Sequence, residues 1–471
     1  MVENFRVGVV GAGYVGLVTG ACLSHLGHRV TCVDKDEGRI RGLREGQMPF
    51  YEPGLEELVA KSASRLRFST QLDEVVREAD VIFIAVDTPK GEDGSADLSS
   101  IAAVARGIGR TLARDGAGMR KREHPLLVVN KSTVPVGSGD YVSMLIREGL
   151  EEEAAPLSEE APAALFVVAS NPEFLREGSA IYDTLFPDRI VVGSESRLGL
   201  DTLRALYEPI IEQSFPAELD PRPKVTVPFV TTDLVSAEMI KYAANAFLAT
   251  KISFINEVSN LCELVGADVG EVAYGIGLDG RIGARSLNAG IGWGGSCFPK
   301  DIAALRALAK EYEHEVPLLD ATVTVNERQR KRVIGKLQGE LHTLKGRRVA
   351  LLGLSFKPNT DDLREAPSLH IARALDSLGA RVVGYDPVAG KKAAAQRLLP
   401  TSMEVVFELY AALKGAHAAV VLTEWEEVRT LDPKEASPLM EPPRVWVDGR
   451  NVMDAAAALE AGLSYRGFGR G

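Results

Sequence analysis

The sequence predicts an α/β chain: two doubly wound sheets joined by a long central helix. Three observations predict it. Continuous apolar strands alternate with helical runs from the start. A glycine-rich turn joins the first strand to the first helix, and a second strand–loop–helix–strand unit begins at Val349. Apolar strands alternating with helices indicate parallel strands covered on both faces.

In order, Phe5–Val10 reads as a buried strand, Tyr14–Leu26 as a helix and Arg29–Asp34 as the next strand. Val81–Val86 and Leu126–Asn130 are further buried strands, each followed by a polar loop. Residues 151–162 are acidic and rich in Ala and Pro, so they are expected to form a surface insertion before Phe166–Ala169 resumes the sheet. Thr232–Val265 reads as one long Ala-rich helix, apolar on most of its circumference; such a helix is expected to be buried between domains or subunits. A Gly-rich segment follows, then a helix from Pro299 and a second through Lys336. The later unit comprises strand Val349–Leu352, helix Ser368–Leu378 and strand Arg381–Tyr385. Its loop, Gly353–Asn359, lacks a full glycine fingerprint and is expected to hold a different ligand from the first.

The 471 residues, 45% of them hydrophobic, suffice for more than one core. A net charge of -11, with mixed signs along the chain, argues against a nucleic-acid or anionic-membrane partner. The four cysteines, Cys22, Cys32, Cys262 and Cys297, show neither a disulfide framework nor zinc-ligand spacing, so no metal is expected. The chain opens on a strand with no signal peptide and has no run long enough to span a membrane, which predicts a cytoplasmic location.

Gly11-Ala-Gly13-Tyr-Val-Gly16 follows a strand and opens a helix. Its glycines permit a tight turn, close approach of a pyrophosphate and close helix–strand packing, while the helix N-terminus favours the phosphate charge. Asp34 ends the next strand, where an acid suits a ribose 2′-hydroxyl and repels a 2′-phosphate. With strand, turn, helix and acid all in place, the segment reads as a Rossmann-like dinucleotide site for NAD. Arg39 nearby weighs toward NADP.

Cys297 in Gly-Gly-Ser-Cys-Phe-Pro-Lys-Asp301 precedes Pro299, which suits the first turn of a helix. The helix dipole and Lys300 would favour thiolate there, and Asp301 would orient or deprotonate water beside the sulfur. A small buried cysteine at a helix start is the plain alternative. Lys241 and Asn245 lie one turn apart on an otherwise apolar helix. Their two readings are a buried salt bridge to some carboxylate, and stabilisation of an oxyanion with Asn245 orienting the amine or a water. Asn171–Glu177 offers Glu173 and Glu177, and Lys131–Pro135 offers Ser132 and Thr133, both after strands. Ligands in open α/β sheets sit at such strand ends, although capping explains the same residue types.

Together these segments resemble the UDP-glucose dehydrogenase family within the UDP-glucose/GDP-mannose dehydrogenases. The matching stretches are GAGYVG at Gly11, PFYEPGL at Pro49, STVPVG at Ser132, NPEFLREG at Asn171, the Lys241/Asn245 pair, GWGGSCFPKD at Gly292, FKPNTDDLRE at Phe356 and DGRN at Asp448. They span nearly the whole chain in the family's order. The resemblance implies an NAD-binding Rossmann domain over 1–210, a helical dimerisation domain over 211–330 and a UDP-sugar-binding α/β domain over 331–471. It implies a homodimer that oxidises UDP-glucose to UDP-glucuronate with two NAD.

By the same resemblance, NAD meets Gly11, Gly13, Val15, Gly16, Asp34, Arg39, Thr88, Thr133, Glu177, Lys300 and Arg364. The sugar nucleotide meets Glu173, Phe174, Leu175, Arg176, Glu177, Lys241, Asn245, Ser286, Leu287, Asn288, Ala289, Gly290, Gly294, Lys357 and Arg450, with Arg281 reaching across from the partner. The implied chemistry has Cys297 as nucleophile, Lys241 facing the oxyanion, Asp301 and Glu173 handling protons and water, and Thr133 and Asn245 positioning that water. The family's aromatic residue is replaced here by Ser286. Three rival readings remain open: a GDP-mannose dehydrogenase; a single-step β-hydroxyacid dehydrogenase, which needs neither Cys297 nor the second α/β domain; and a silent NAD-binding sensor or scaffold, which leaves Cys297 and Lys241 unexplained.

Overall fold

A computed structural model describes residues 4–91, 94–114, 124–153, 165–216, 226–395 and 398–470. The chain divides into two compact units, Met1–Ala243 and Ala244–Gly471.

The first unit is built on an eight-stranded sheet: β1 (Arg6–Val10), β2 (Arg29–Val33), β3 (Leu66–Ser69), β4 (Val81–Ile84), β5 (Leu126–Asn130), β6 (Phe166–Ser170), β7 (Ile190–Gly193) and β8 (Phe229–Thr232). Their order is β3-β2-β1-β4-β5-β6-β7-β8. Order reverses beside β1, between the strands leading to β3 and those leading to β8, which is the switch point where such sheets hold ligands. Strands β1 to β6 run parallel, as the apolar sequences of β1, β4, β5 and β6 predict; β4 and β5 are buried at every position. The expected all-parallel sheet is corrected at one join. β7 meets β6 antiparallel through Ser170 and Gly193 alone, and β8 follows β7 parallel. Apolar cores fill both faces, one around Leu17, Phe83 and Tyr207, the other around Ile82, Ile108 and Leu145.

The second unit repeats the plan with six parallel strands: β9 (Arg348–Leu352), β10 (Arg381–Tyr385), β11 (Glu404–Val406), β12 (Ala418–Val421), β13 (Val445–Asp448) and β14 (Ser464–Arg466). Their order is β11-β10-β9-β12-β13-β14. Before the sheet lie the helices Val269–Gly277, Phe298–Glu311 and Pro317–Leu341.

The long helix spans Leu234–Val265, close to its expected bounds. Within the single chain it is only partly buried: Val235, Met239, Phe247, Phe254, Leu261 and Leu264 are exposed, with Phe247 65% and Leu264 81% accessible. Their spacing keeps them on one side of the rod, so the chain covers only part of its apolar circumference. The acidic insertion is also redrawn. Glu151–Glu153 complete the helix Ser138–Glu153, where Glu152 pairs with Arg110 and Glu153 with Arg114. The rest of the insertion lies outside the described residues. Among the described residues no helix is long and apolar enough to cross a membrane.

Candidate active site

The predicted residues divide between the units. In the first, β1 ends at a turn whose backbone only glycine accommodates. Gly11 has φ +104°, and a Cβ on it would lie 2.5 Å from the Ala85 carbonyl oxygen. A Cβ on Gly16 would lie 1.8 Å from the Gly11 carbonyl oxygen, so the helix Tyr14–His25 packs directly on the turn. Gly13 caps that helix and Val15 sits in its first turn, leaving backbone N–H groups aimed out of the N-terminus. Asp34, just beyond β2, accepts from the Ala12 amide at 2.8 Å, and its other oxygen accepts from Asp36 at 3.0 Å. Arg39 pairs with the same carboxylate at 2.8 Å. The cation that weighed toward a 2′-phosphate is therefore engaged by the acid expected to select a free ribose. This cradle fits NAD. Thr88 donates to the Thr133 carbonyl at 2.8 Å, and Ser132 to the Val86 carbonyl at 2.7 Å, which stitches the loops after β4 and β5 together.

The loop after β6 carries Glu173, whose carboxylate pairs with Lys241 at 2.9 Å and accepts from the Leu175 amide at 2.8 Å. Both partners are buried. Burial pushes the Glu173 carboxyl up, but the Lys241 ammonium, the Leu175 N–H and the more distant Lys131 together hold it below its ordinary value. Of the two readings of Lys241, the salt bridge is present, and its partner is one of the predicted acids. Phe174 lies under the Arg189 guanidinium, 3.7 Å from its centroid, and faces Lys241 at 5.4 Å. Arg176 turns outward to Asp183 at 2.6 Å. Glu177 is half-buried, next to Gly178.

Sequence reasoning missed two residues here. Glu52, from the PFYEPGL stretch, accepts from the Gly178 amide at 2.6 Å, the Ala180 amide at 2.7 Å and the Tyr14 hydroxyl. It thus ties the glycine turn to the loop bearing Glu173 and Glu177. Lys131 is buried and donates to Asn171 Oδ1 at 3.0 Å. A lysine directly after the buried strand Leu126–Asn130, at the strand end where such sheets hold ligands, was the available signal for Lys131.

In the second unit, Cys297 caps the helix Phe298–Glu311, with Pro299 in the first turn. It is half-buried, 3.6 Å from Ser296 Oγ, and its carbonyl accepts from the Asp301 amide at 2.9 Å. Cys22 and Cys32, by contrast, are sealed in the core, where burial pushes their thiols up to about 12. Asp301 is fully buried, accepts from Asn245 Nδ2 at 2.5 Å and lies 3.7 Å from Lys300 Nζ. Asn245 therefore holds the carboxylate one helical turn from the thiol.

The loop predicted to hold the sugar nucleotide is fixed by buried amides that sequence reasoning missed. Asn256 accepts from the Gly290 amide at 2.8 Å, and Gln329 donates to the Gly290 carbonyl at 2.8 Å. Asn326 pairs with both backbone groups of Trp293, at 2.8 and 3.0 Å. Ser286 takes φ +65°, Leu287 and Ala289 are buried, and Asn288 is exposed. A Cβ on Gly290 would lie 2.3 Å from the Gly449 carbonyl oxygen, and one on Gly294 2.3 Å from that of Glu365. Arg450 donates to the carbonyls of Leu422 at 2.8 Å, Phe356 at 3.2 Å and Gly292 at 3.4 Å, which gathers three loops; Lys357 lies beside Phe356. Two further residues, one expected to meet NAD and one to serve the partner, pair with neighbouring acids. Arg364 pairs with Asp362 at 2.7 Å, and Arg281, 90% exposed, pairs with Asp279 at 2.6 Å. Among the described residues no group of three or more His, Cys, Asp or Glu could hold a metal.

Three family models match the chain: the NAD binding domain of the UDP-glucose/GDP-mannose dehydrogenase family over residues 5–211, its central domain over 235–328 and its UDP binding domain over 350–455. The chain belongs to this family. It is accordingly an NAD-dependent oxidoreductase. Among relatives of the family, a UDP-glucose 6-dehydrogenase of Bacillus subtilis is 47% identical over 99% of this chain and 98% of its own. One from Rhizobium meliloti is 44% identical over 99% of each chain. The solved UDP-glucose dehydrogenase of Pyrobaculum islandicum superimposes with TM-score 0.85 at 38% identity, covering 100% of this chain and 99% of that one.

Proposed function

We propose that this chain oxidises UDP-glucose to UDP-glucuronate in two hydride transfers, through a thioester on Cys297, and that it works as a cytoplasmic homodimer. The observation that carries the reading is Cys297 at a helix N-terminus with a buried Asp301–Asn245 pair one turn behind it. A single oxidation of an alcohol needs no nucleophile; an oxidation continued to the acid does. The identity of the sugar follows from the relatives named above.

NAD supplies the hydride acceptor, one molecule for each oxidation. Removal of hydride and a proton from the C6 alcohol leaves an aldehyde. The Cys297 thiolate adds to it and gives a thiohemiacetal, whose remaining C6 hydrogen departs as hydride to give a thioester. Water then hydrolyses the thioester, releasing carboxylate and restoring the thiolate. At each addition a negative oxygen develops, and Lys241 supplies the preorganised positive charge for it. Glu173 and Asp301 take up the protons of alcohol and water, with Thr133 and Asn245 holding the water. Arg450, Lys357 and the Ser286–Gly290 loop hold the nucleotide. The exposed apolar side of the long helix supports the dimer, and the exposure of Arg281, 90% accessible and paired with nearby Asp279, supports its service to the partner's site.

The test is stoichiometric. Limiting UDP-glucose should yield two NADH per molecule, and GDP-mannose should yield none. Cys297→Ser should lose steady-state turnover by orders of magnitude while still binding NAD and UDP-glucose. One NADH per sugar, or full turnover in the serine variant, would overturn the covalent route.

A further inference from the structure

Lys131 ends no salt bridge, yet it is buried. Its ammonium donates to the neutral Asn171 Oδ1 at 3.0 Å, and no carboxylate of the described residues lies within ion-pair distance. Asn171 is itself fixed by the Tyr207 hydroxyl at 2.7 Å and by its own bond to the Val191 carbonyl at 2.8 Å. A lysine is rarely buried without a compensating group, because desolvation disfavours its charge.

The cavity that Lys131 lines is bordered also by Glu173, Asp183, Arg189, Tyr207 and Cys22. The Cys22 thiol is pushed up to about 12 and the Tyr207 hydroxyl higher still, both by burial, so both are neutral through the working range. Asp183 is engaged by Arg176, and Arg189, stacked on Phe174, has the neighbouring Asp188 carboxylate as its counter-charge. The charges left to balance are one carboxylate, Glu173, and two ammonium groups, Lys241 and Lys131. Lys241 alone neutralises Glu173, so the second cation is surplus in the resting arrangement. It ceases to be surplus when Lys241 turns to a developing oxyanion, because Glu173 then stays buried without its partner.

We propose that Lys131 is a positioning residue, a reserve counter-ion that keeps Glu173 a carboxylate when Lys241 leaves it for the reacting oxygen. The inference rests on the roles given above to Glu173 and Lys241. Burial pulls the Lys131 ammonium down to about 8, while Glu173 pulls it up and Lys241 down, so below that pH the reserve charge is present.

The experiment is an infrared titration of the Glu173 carboxyl in the full chain, its band assigned by loss in Glu173→Gln. Lys131→Met should move the Glu173 midpoint up by roughly one pH unit, the size expected for removing a unit charge several Å away at an effective dielectric near 20. Lys131→Arg should leave it in place. An unchanged midpoint in the methionine variant overturns the proposal, as does an equal rise in the arginine variant, which would assign the effect to packing. Should Lys131→Met fail to fold, Asn171→Asp gives the lysine a partner of its own and should raise the same midpoint; no rise overturns the proposal. The acidic limb of the kcat profile is read in parallel. A moved infrared midpoint with an unmoved limb upholds the Lys131 inference and rejects Glu173 as the group whose ionisation the reaction needs.

Discussion

At the scale of residues, two aspartates in matching places show how partners decide function. Asp34 follows β2 and Asp386 follows β10, and each accepts from the backbone of the loop after the unit's first strand. Asp386 is saturated: it takes the amides of Leu354, Ser355, Val388 and Ala389, the Ser355 hydroxyl and the Trp425 indole. Among the described residues the Asp34 carboxylate accepts only from Ala12, Asp36 and Arg39, which leaves acceptor capacity for the expected ribose contact. Asp34→Ala should therefore raise KM for NAD by roughly ten- to a hundredfold, the equivalent of losing about 1.5–3 kcal/mol from a charged hydrogen bond. KM for NADP should change far less. Equal loss with both cofactors in initial-rate assays would exclude the ribose contact.

Single elements are tied to one another by buried polar groups as much as by apolar packing. Glu238, on the long helix, accepts from the amides of Gly137 and Gly139 at 2.7 and 2.8 Å, and so closes the N-terminus of the helix Ser138–Glu153. Burial pushes its carboxyl up to about 7 against the pull of those N–H groups. A carboxyl raised on folding holds its proton in the folded state where the unfolded chain has released it. Stability therefore falls as pH rises from the ordinary carboxylate range to about 7, with a slope up to about 1.4 kcal/mol per pH unit. Glu238→Gln should remove that slope in urea melts compared at pH 5 and 7. Identical slopes in variant and parent would show that Glu238 does not titrate there. Glu238 was not singled out in the sequence, because a lone acid within an Ala-rich helix carries no mark of what it caps.

Across the whole molecule, the long helix expected to be buried between domains or subunits leaves one apolar side exposed on the single chain. Hydrophobic residues of that size in a continuous stripe mark an interaction surface. Phe247→Glu with Leu261→Glu should convert a dimer to monomers in analytical ultracentrifugation; an unchanged mass would place the interface elsewhere. The shared site has its own test. Arg281→Ala and Cys297→Ser homodimers should each be nearly inactive, whereas co-refolded mixtures should recover roughly a quarter of the parent activity, since half the dimers are mixed and one site in each is intact. No recovery, with mixed dimers shown to form, would put Arg281 in its own subunit's site.

What the sequence determined by itself was local. Apolar runs of four or five residues gave β1, β4, β5 and β6; the glycine turn and Asp34 gave the cofactor cradle; Pro299 gave the helix start that places Cys297. Short strands such as β3, β7 and β11, of three or four residues, are too brief for periodicity to separate them from loops. The tertiary structure alone decided the pairings: Glu173 with Lys241, Asp301 with Asn245, Glu52 with Gly178 and Ala180, and Asn326 with Trp293. The physical reason is that residue type and spacing record what a segment prefers along its own axis. Which carboxylate meets which ammonium is set by the order in which strands and helices are laid across a sheet, and that order brings together groups far apart in the chain.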